Sequence, residues 1–422
     1  MIQGPSKNKT DGNKTKTILY FCLHFPDGSP LFVIESRFLE VMRRRYRVIV
    51  AYFTEPDKSE KTIVIPEHTI PVYLRDVPLP RYIPGFVRGA LHSVIQIVRV
   101  VMLIRTVRPD LVNGNWISRS SGFYCAVANF HPFLVTSWGS DIQIEARQSR
   151  VLRAVAKFTT RRADALIVDG EVTRKNALEL GCNSNRIYAF PRGIDLEKFR
   201  VMDSTATREK LGWSDKKIVI STRRHHPTCG VEYLIRAIPR ILEIVPDARF
   251  AIVGAGPLLG YHKSLAEKLG IGESVRFLGW VDNAALPALL NGADIYVSTS
   301  FSDGTSSSLL EAMACGLPVV VTRIPGNEEW VEDGTNGLLM PPGDSAELAR
   351  CTVEILRNNE LRSRMSLANI RLAKAKADWK INSLVLEKCL SDLTAGRKLG
   401  KTRLRFSNTG GIKAKAITSP AP

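Results

Sequence analysis

The hydrophobic pattern of this chain alternates between short apolar runs and longer stretches with helical spacing. The first runs predict strands at 17–23, 47–53, 111–112, 134–137 and 166–169. A second set predicts strands at 217–222, 249–253, 274–278, 295–298, 319–322 and 338–340. Strands that alternate with helix-length segments are typical of doubly wound parallel sheets. We therefore predict an α/β fold with two Rossmann-like domains that face a cleft.

Length and polar stretches suggest where the domains begin and end. A chain of 422 residues is longer than one hydrophobic core usually supports. The polar stretch 193–216 interrupts the strand pattern and is typical of a hinge. We predict a disordered basic N-terminus at 1–16, domains at 17–195 and 196–376, a helix at 377–395 and a disordered basic tail at 396–422.

The net charge of +18 is unevenly distributed. Residues 1–200 hold 30 basic and 18 acidic side chains, whereas 201–395 hold 22 and 23. The excess predicts that the first domain binds anionic surfaces. The seven cysteines show no CxxC pair and no metal-cage spacing, and the N-terminus has no apolar signal segment. These features predict a reduced, cytoplasmic compartment and no metal.

The segment 83–109 is the candidate for membrane contact. Its apolar residues are interrupted by Arg88, Arg99, Arg105 and Arg108, and no uninterrupted apolar run reaches the ~18 residues that span a bilayer. The pattern predicts a helix that lies among the headgroups of an anionic membrane. Alternatively, it is a buried core helix with solvated faces.

The stretch "SFSDGTSSSLLEAMACGLPVVVT", residues 300–322, predicts a polar loop and a short helix between two parallel strands. A loop at the carboxyl end of a strand opens onto the ligand crevice, and the helix start behind it carries partial positive charge. The stretch therefore predicts an anion site. Alternatively, Asp303 or Thr305 only caps the helix.

Motifs along the chain carry a family resemblance. "TSWGSDI", "AFPRGIDLEKF", "AIVGAGP", "VRFLGWV", "LLEAMACGLPVVVT" and "EDGTNGLLMPPGD" are, in order, similar to landmarks of glycosyltransferase family 4 over about residues 17–395. The resemblance implies the GT-B fold, retaining transfer from a nucleoside-diphosphate sugar without a metal, and a glycan or lipid-linked acceptor at the cytoplasmic membrane face. It also implies that the helix at 377–395 crosses back to the first domain.

The same resemblance implies a donor site in the second domain. Glu311 would bind the ribose, Asp303 would lie near the transferred sugar, and Arg224 would hold the diphosphate. Cys229 stands where the family has a lysine, and Arg223, His225 and His226 are candidate replacements among which the spacing does not choose. Further expected donor contacts are Gly304, Thr305, Ser306, Gly254, Gly256, Trp280, Val281 and Glu329. Gly254 and Gly256 are alternatively a turn, and Trp280 and Val281 an ordinary strand end.

On the acceptor side, Trp138 replaces the family's histidine in the turn "WGSD". It is expected either to stack on a sugar or to pack in the core. Proton transfer then runs directly from the acceptor to the leaving phosphate, or Asp141 and solvent take part. Gly28, in the loop after the first strand, is a further candidate contact.

Two other functional classes remain open at this point. A nonhydrolysing sugar-nucleotide epimerase of the same build needs acids and histidines placed for proton abstraction, and Trp138 argues against it. A nucleic-acid-binding protein would suit the sequence pI of about 9.7. The chain has no zinc finger, helix-turn-helix or ribonucleoprotein motif, so we expect no nucleic-acid partner.

Overall fold

The computed structural model describes residues 15–22, 30–53, 69–74 and 84–396. Its strands form two separate, entirely parallel sheets, with orders β3-β2-β1-β4-β5-β6-β7 and β10-β9-β8-β11-β12-β13. The first sheet contains β1 (Thr17–Phe21), β2 (Arg47–Tyr52), β3 (Thr69–Tyr73), β4 (Leu111–Asn115), β5 (Phe133–Thr136), β6 (Ala165–Val168) and β7 (Ile187–Ala189). The second contains β8 (Lys217–Ser221), β9 (Ala248–Val253), β10 (Val275–Gly279), β11 (Ile295–Ser298), β12 (Val319–Thr322) and β13 (Gly337–Met340). The predicted pair of Rossmann-like sheets is confirmed.

Two strands were not predicted from the pattern. Strand β3 lies at the edge of the first sheet, carries Pro71 and is only partly buried, and proline lowers the strand signal although edge strands tolerate it. Strand β7 has three residues, which is too short for an alternation to be recognised. Both strands therefore depend on pairing with their neighbours.

Helices cover both faces of each sheet. The first domain contains α1 (Pro30–Arg43), α2 (Gly85–Val107), α3 (Ser120–Ala128), α4 (Ala146–Gln148), α5 (Arg150–Arg162) and α6 (Glu171–Glu179). They are followed by α7 (Thr205–Lys210), α8 (Val231–Ile244), α9 (Leu259–Lys268), α10 (Leu286–Asn291), α11 (Ser307–Ala314), α12 (Pro325–Glu328), α13 (Ser345–Arg357), α14 (Asn359–Lys376) and α15 (Trp379–Thr394). Short 3-10 turns lie at Ser184–Arg186, Pro227–Cys229 and Gly272–Ser274, and a π turn at Asp141–Glu145.

The central strands are buried on both faces, as expected for parallel sheets between helix layers. In β12, Val319, Val320 and Val321 are all 0% exposed. Val320 belongs to the core under α8 and α13, whereas Val319 and Val321 belong to the core under α11. This burial on both faces explains why the sequence of β12 is an unbroken run of apolar residues.

Helix α15 joins the end of the described chain to the first domain. A β-bridge links Ile194 to Asp378 just before the helix. Cys389 and Leu390 are fully buried in the first domain's core, and the rings of Phe38 and Trp379 lie 5.5 Å apart. The second domain is therefore held to the first by a packed helix.

Helix α2 has a buried side and an exposed apolar side. Val100 and Ile104 enter the core of the first domain, and the helix packs against α3. The exposed apolar residues are Val87, Leu91, Val94, Val98 and Met102. By length and composition, Val87–Val107 could cross a membrane, with 17% of that segment buried. Its arginines explain why the sequence shows no uninterrupted apolar run of this length.

Candidate active site

Two loops meet at the topological switch point of the second sheet. Strands β8 and β11 are neighbours, while the chain continues from β8 to β9 on one side and from β11 to β12 on the other. In open parallel sheets the crevice outside the carboxyl ends of such strands is the usual ligand site. The loop after β8 carries Arg223 and Arg224, and the loop after β11 carries Asp303 to Ser306.

A largely buried guanidinium lies at the start of α11, with 14% of the Arg223 side chain exposed. Arg223 Nη1 donates to Ser306 Oγ and Ser308 Oγ at 2.8 and 2.9 Å, and Nη2 pairs with Asp303 Oδ2 at 2.6 Å. Burial lowers the pKa of Arg223, but Asp303 together with Tyr296 and Cys229 outweighs burial and raises the pKa above its usual value. The guanidinium is therefore permanently charged beside the unpaired amides of the helix start.

The expected contact of Arg224 with the diphosphate stays a prediction. Its side chain is exposed, and no hydrogen bond or ion pair joins it to another residue in the part of the chain that the structure describes. Arg223, one of the three candidate replacements for the family's lysine, takes the inner position. Cys229 is 8% exposed and packs in the core, so its side chain does not face the crevice.

The two glycines of "GAGP" are explained by a close approach between loops. A Cβ at Gly254 (φ 142°) would lie 2.4 Å from Arg223 O, and one at Gly256 (φ 151°) would lie 2.5 Å from His225 O. Only glycine allows this backbone contact. Their expected contact with a nucleotide stays a prediction.

Glu311 is the buried acid of α11. Its side chain is 8% exposed, and burial raises its pKa to about 7, while Arg37 and Lys198 act in the opposite direction. Arg37 belongs to α1 of the first domain and donates to Gly193 O at 3.3 Å. Charge from both domains therefore acts on this carboxyl group.

The donor-side loop touches the first domain directly. Thr305 Oγ1 donates to Asp169 O at 2.5 Å. Glu329 accepts from the amides of Val172 and Glu171, at 2.6 and 3.3 Å, at the start of α6. Burial raises the pKa of Glu329 above its usual value, although the hydrogen bonds from the two amides act in the opposite direction. Glu329 therefore joins the domains in this structure.

Neighbouring contacts complete the donor-side loop. A Cβ at Gly326 would lie 2.4 Å from Gly304 O, so α12 packs against the backbone of the loop. Trp280 is 53% exposed at the end of β10, and Val281 packs on the core. The Trp280 ring is therefore accessible to a ligand, whereas the Val281 side chain contacts the hydrophobic core.

Asp141 is a buried part of the turn after β5. It is fully buried and accepts from the amides of Ile117, Trp138 and Ile142 and from Ser137 Oγ, at 2.8–3.1 Å. Burial raises its pKa to about 6, although these hydrogen bonds act against the change. With its oxygens occupied, Asp141 is placed to hold the turn rather than to reach an acceptor.

Trp138 is also buried, at 7% exposure. Its indole Nε1 donates to Asn115 Oδ1 at 3.0 Å, and the guanidinium carbon of Arg192 lies 4.5 Å from its ring centroid. These contacts favour the packing role over sugar stacking. Gly28 lies outside the described residues, as do 1–14 and 397–422.

Sequence reasoning missed three polar side chains near this turn: Gln143, Asp169 and Arg192. Arg192 Nη2 lies 3.4 Å from Asp169 Oδ2. Asp169 directly follows β6, and the rule that ligands bind at carboxyl ends of strands could have identified it. Gln143 carries no such signal. Among the described residues, no group of three metal-binding side chains is arranged to hold a metal ion.

Comparison with known proteins decides the family. The family model for Glycosyltransferase Family 4 matches residues 37–198 of the chain, and the family model for Glycosyl transferases group 1 matches residues 203–371. The chain is 30% identical over 257 residues to the GDP-mannose-dependent alpha-(1-6)-phosphatidylinositol monomannoside mannosyltransferase of Mycolicibacterium smegmatis, covering 58% of this chain and 67% of that protein.

The chain belongs to glycosyltransferase family 4. Among further curated relatives, the phosphatidyl-myo-inositol mannosyltransferase of Mycobacterium leprae is 32% identical over 45% of this chain. The chain spans half of that relative's length. Membership in this family supports a glycosyltransferase enzyme over the epimerase and the nucleic-acid-binding protein.

Solved GT-B structures share the architecture of this family 4 chain. HepE of Anabaena, in complex with UDP-glucose, superposes with a TM-score of 0.74 at 23% identity, over 89% of this chain and all of that one. Sucrose-phosphate synthase of Thermosynechococcus elongatus superposes with a TM-score of 0.75 at 18% identity, over 90% and 100%. At these identities the likeness shows the fold.

Proposed function

We propose that this glycosyltransferase moves a sugar from a nucleoside-diphosphate sugar to an acceptor with retention of the anomeric configuration. The observation that carries the proposal is the guanidinium of Arg223 against Ser306 and Ser308 at the start of α11, with Glu311 on the same helix. Fixed positive charge at this point stabilises the negative charge that develops on a departing diphosphate. Glu311 is placed to accept the hydroxyls of the ribose.

The transfer step that we propose is a direct one. The bond between the anomeric carbon of the donor sugar and the diphosphate oxygen breaks, and an acceptor hydroxyl oxygen bonds to that carbon on the same face. The proton of that hydroxyl passes to the departing phosphate oxygen. The four hydrogen bonds that occupy Asp141 support this direct transfer over one through Asp141.

We also propose that the reaction needs no metal. Arg223 sits inside the crevice, and Arg224 extends from the same loop, so two guanidiniums are available for the charge that a metal ion would otherwise balance. The proposal predicts equal rates after dialysis against EDTA and after addition of Mg²⁺. A rate that falls at least tenfold on EDTA treatment and returns with Mg²⁺ would contradict it.

The acceptor we propose is a lipid-linked glycan at the anionic, cytoplasmic face of a membrane. The support is the exposed apolar side of α2 and the basic, exposed Arg150, Arg153 and Lys157 of α5. Helix α3 packs against both helices, so they cover one side of the first sheet. Apolar and basic side chains together suit binding to anionic headgroups.

Co-flotation with anionic vesicles at ~0.15 M salt tests the membrane contact. We expect binding by the wild type and loss of binding by Val94→Glu with Val98→Glu, both on the exposed side of α2. The matched control places glutamates at Val201 and Leu367, which are as exposed but belong to the second domain. Failure of the wild type to float would overturn the contact.

The donor reaction has its own test. We expect one nucleoside diphosphate from a panel to raise the melting temperature, and the matching nucleotide sugar to be hydrolysed slowly or transferred. Nuclear magnetic resonance of the product should show the donor's anomeric configuration. An inverted product, or no stabilisation by any member of the panel, would contradict the proposed function.

A further inference from the structure

Two buried polar atoms without partners lie beside Gly139, in the turn after β5. They are Asp169 Oδ1 and Gln143 Nε2, and neither has a hydrogen-bond partner among the residues that the structure describes. A Cβ at Gly139 would lie 3.9 Å from the first atom and 3.8 Å from the second. One unsatisfied acceptor and one unsatisfied donor therefore face the same small volume.

The loop of the second domain borders this volume from the other side. A Cβ at Gly304 would lie 2.5 Å from Asp169 Oδ2, and Thr305 Oγ1 bonds to Asp169 O. Gly304 and Gly139 thus leave the carboxylate uncovered by side chains on two sides. Asp169 is 3% exposed, so contact between the two domains closes it off from solvent.

Arg192 fixes the orientation of the carboxylate. Its Nη2 lies 3.4 Å from Asp169 Oδ2 and donates to Ser137 O at 3.2 Å. The guanidinium thus occupies one carboxylate oxygen and leaves Oδ1 for another partner. Buried polar atoms nearly always have partners in folded proteins, and exceptions often mark a site for a ligand.

We propose that Asp169 and Gln143 form a subsite that binds one sugar hydroxyl between the two domains. A hydroxyl group donates one hydrogen bond and accepts another, which matches the Oδ1 acceptor and the Nε2 donor. The inference rests on the proposed function, because the hydroxyl belongs either to the donor sugar or to the acceptor of that reaction. The subsite also supplies a carboxylate for a sugar hydroxyl where Asp303, the residue expected near the transferred sugar, is already paired with Arg223.

Two near-isosteric substitutions test the subsite. Asp169→Asn removes the charge, and Gln143→Met removes the amide donor. The controls are Asp164→Asn, at the opposite end of the same strand, where Asp164 Oδ2 accepts from the Phe133 amide, and Gln148→Met on the exposed end of α4. Each variant is assayed as the full chain for melting temperature, nucleoside-diphosphate binding, transfer and donor hydrolysis without acceptor.

We expect Asp169→Asn to lower kcat/KM for transfer 10- to 100-fold and Gln143→Met about 5- to 10-fold, because a hydrogen bond to a charged group is the stronger one. Nucleoside-diphosphate binding should stay within twofold of the wild type. If the donor sugar supplies the hydroxyl, hydrolysis falls with transfer. If the acceptor supplies it, hydrolysis is unchanged and the acceptor KM rises.

Transfer within threefold of the wild type in both variants would overturn the subsite, as would losses that the two controls share. If Asp169→Asn does not fold, Gln143→Met and its control decide alone. An inactive wild type would instead refute the proposed function, so the two failures are distinguishable.

Discussion

Replacement of Glu311 by glutamine is the sharpest test of the donor site. Burial raises the pKa of this carboxyl group to about 7 from a usual value of 4.5. Such a group is about one tenth ionised at pH 6 and about nine tenths ionised at pH 8. Because the ionised form accepts ribose hydroxyls more strongly, nucleotide-sugar affinity should rise roughly tenfold, or about 1.4 kcal/mol, between these pH values.

The same group predicts a change in stability of the opposite sign. Since its folded pKa lies above its unfolded pKa, its contribution to stability is full below about pH 4.5 and is lost as the pH rises through 7. The difference of about 2.5 pKa units corresponds to about 3 kcal/mol at pH 8. Glu311→Gln should therefore bind nucleotide sugar about tenfold more weakly at pH 8, yet unfold at a higher temperature.

Isothermal titration with a nucleotide sugar, whose phosphates do not titrate near neutrality, measures the affinities at pH 6, 7 and 8. Calorimetric melting at pH 5 and pH 8 measures stability. Glu273→Gln, at an exposed glutamate of the same domain, is the control. The reasoning is refuted if wild-type affinity is flat across this range, or if Glu311→Gln gains no stability at pH 8 relative to pH 5.

Three further predictions concern the donor loops, the contact between domains and a buried histidine pair. Arg223→Met should lower kcat at least about 100-fold, because a largely buried cation at the diphosphate is lost. Arg224→Met should lower kcat less than tenfold. Equal losses of the two variants in initial-rate assays would contradict the placement of the two arginines. Glu329→Gln should weaken its two amide contacts by about 1–2 kcal/mol and enlarge the radius of gyration in X-ray scattering, and an unchanged radius would count against that contact. His225 and His262 share a 2.6 Å hydrogen bond, and burial lowers the pKa of His225 from 6.5 to about 4. The contribution of His225 to stability is therefore full above pH 6.5 and is lost as the pH falls towards 4, by about 3 kcal/mol. In the Glu311→Gln background, which lacks the opposing titration of Glu311, the urea midpoint of unfolding should decrease as the pH is lowered from 6.5 to 4. A midpoint that does not change with pH would exclude this effect.

The regular elements of both sheets could be predicted because their signal is local. A strand buried on both faces, such as β12, is an apolar run that burial between two helix layers requires. Strands β3 and β7 lacked that signal, since one is a half-exposed edge strand and the other has three residues. Their existence depends on pairing with the preceding strand, whose paired residues lie 21 positions earlier in the sequence.

The site was predicted where a motif lies on a helix or directly after a strand. Glu311 and the loop before α11 lie together at the switch point of the second sheet. The adjacent arginines 223 and 224 lie in an irregular loop, which has no period that says which side chain points inward. Asp141 followed a strand as expected, but three donors from its own turn and the Ile117 amide after β4 occupy it.

The order of apolar and polar residues determined by itself that this chain forms two parallel α/β sheets, and its motifs determined the glycosyltransferase family. Tertiary structure alone decided that Arg223 pairs with Asp303 and brought Gln143 close to Asp169, 26 positions away. The reason is physical. Hydrophobic periodicity is written within each element, whereas the partner of a polar side chain is chosen by strand order and by the contact between domains, which place distant segments at the same edge.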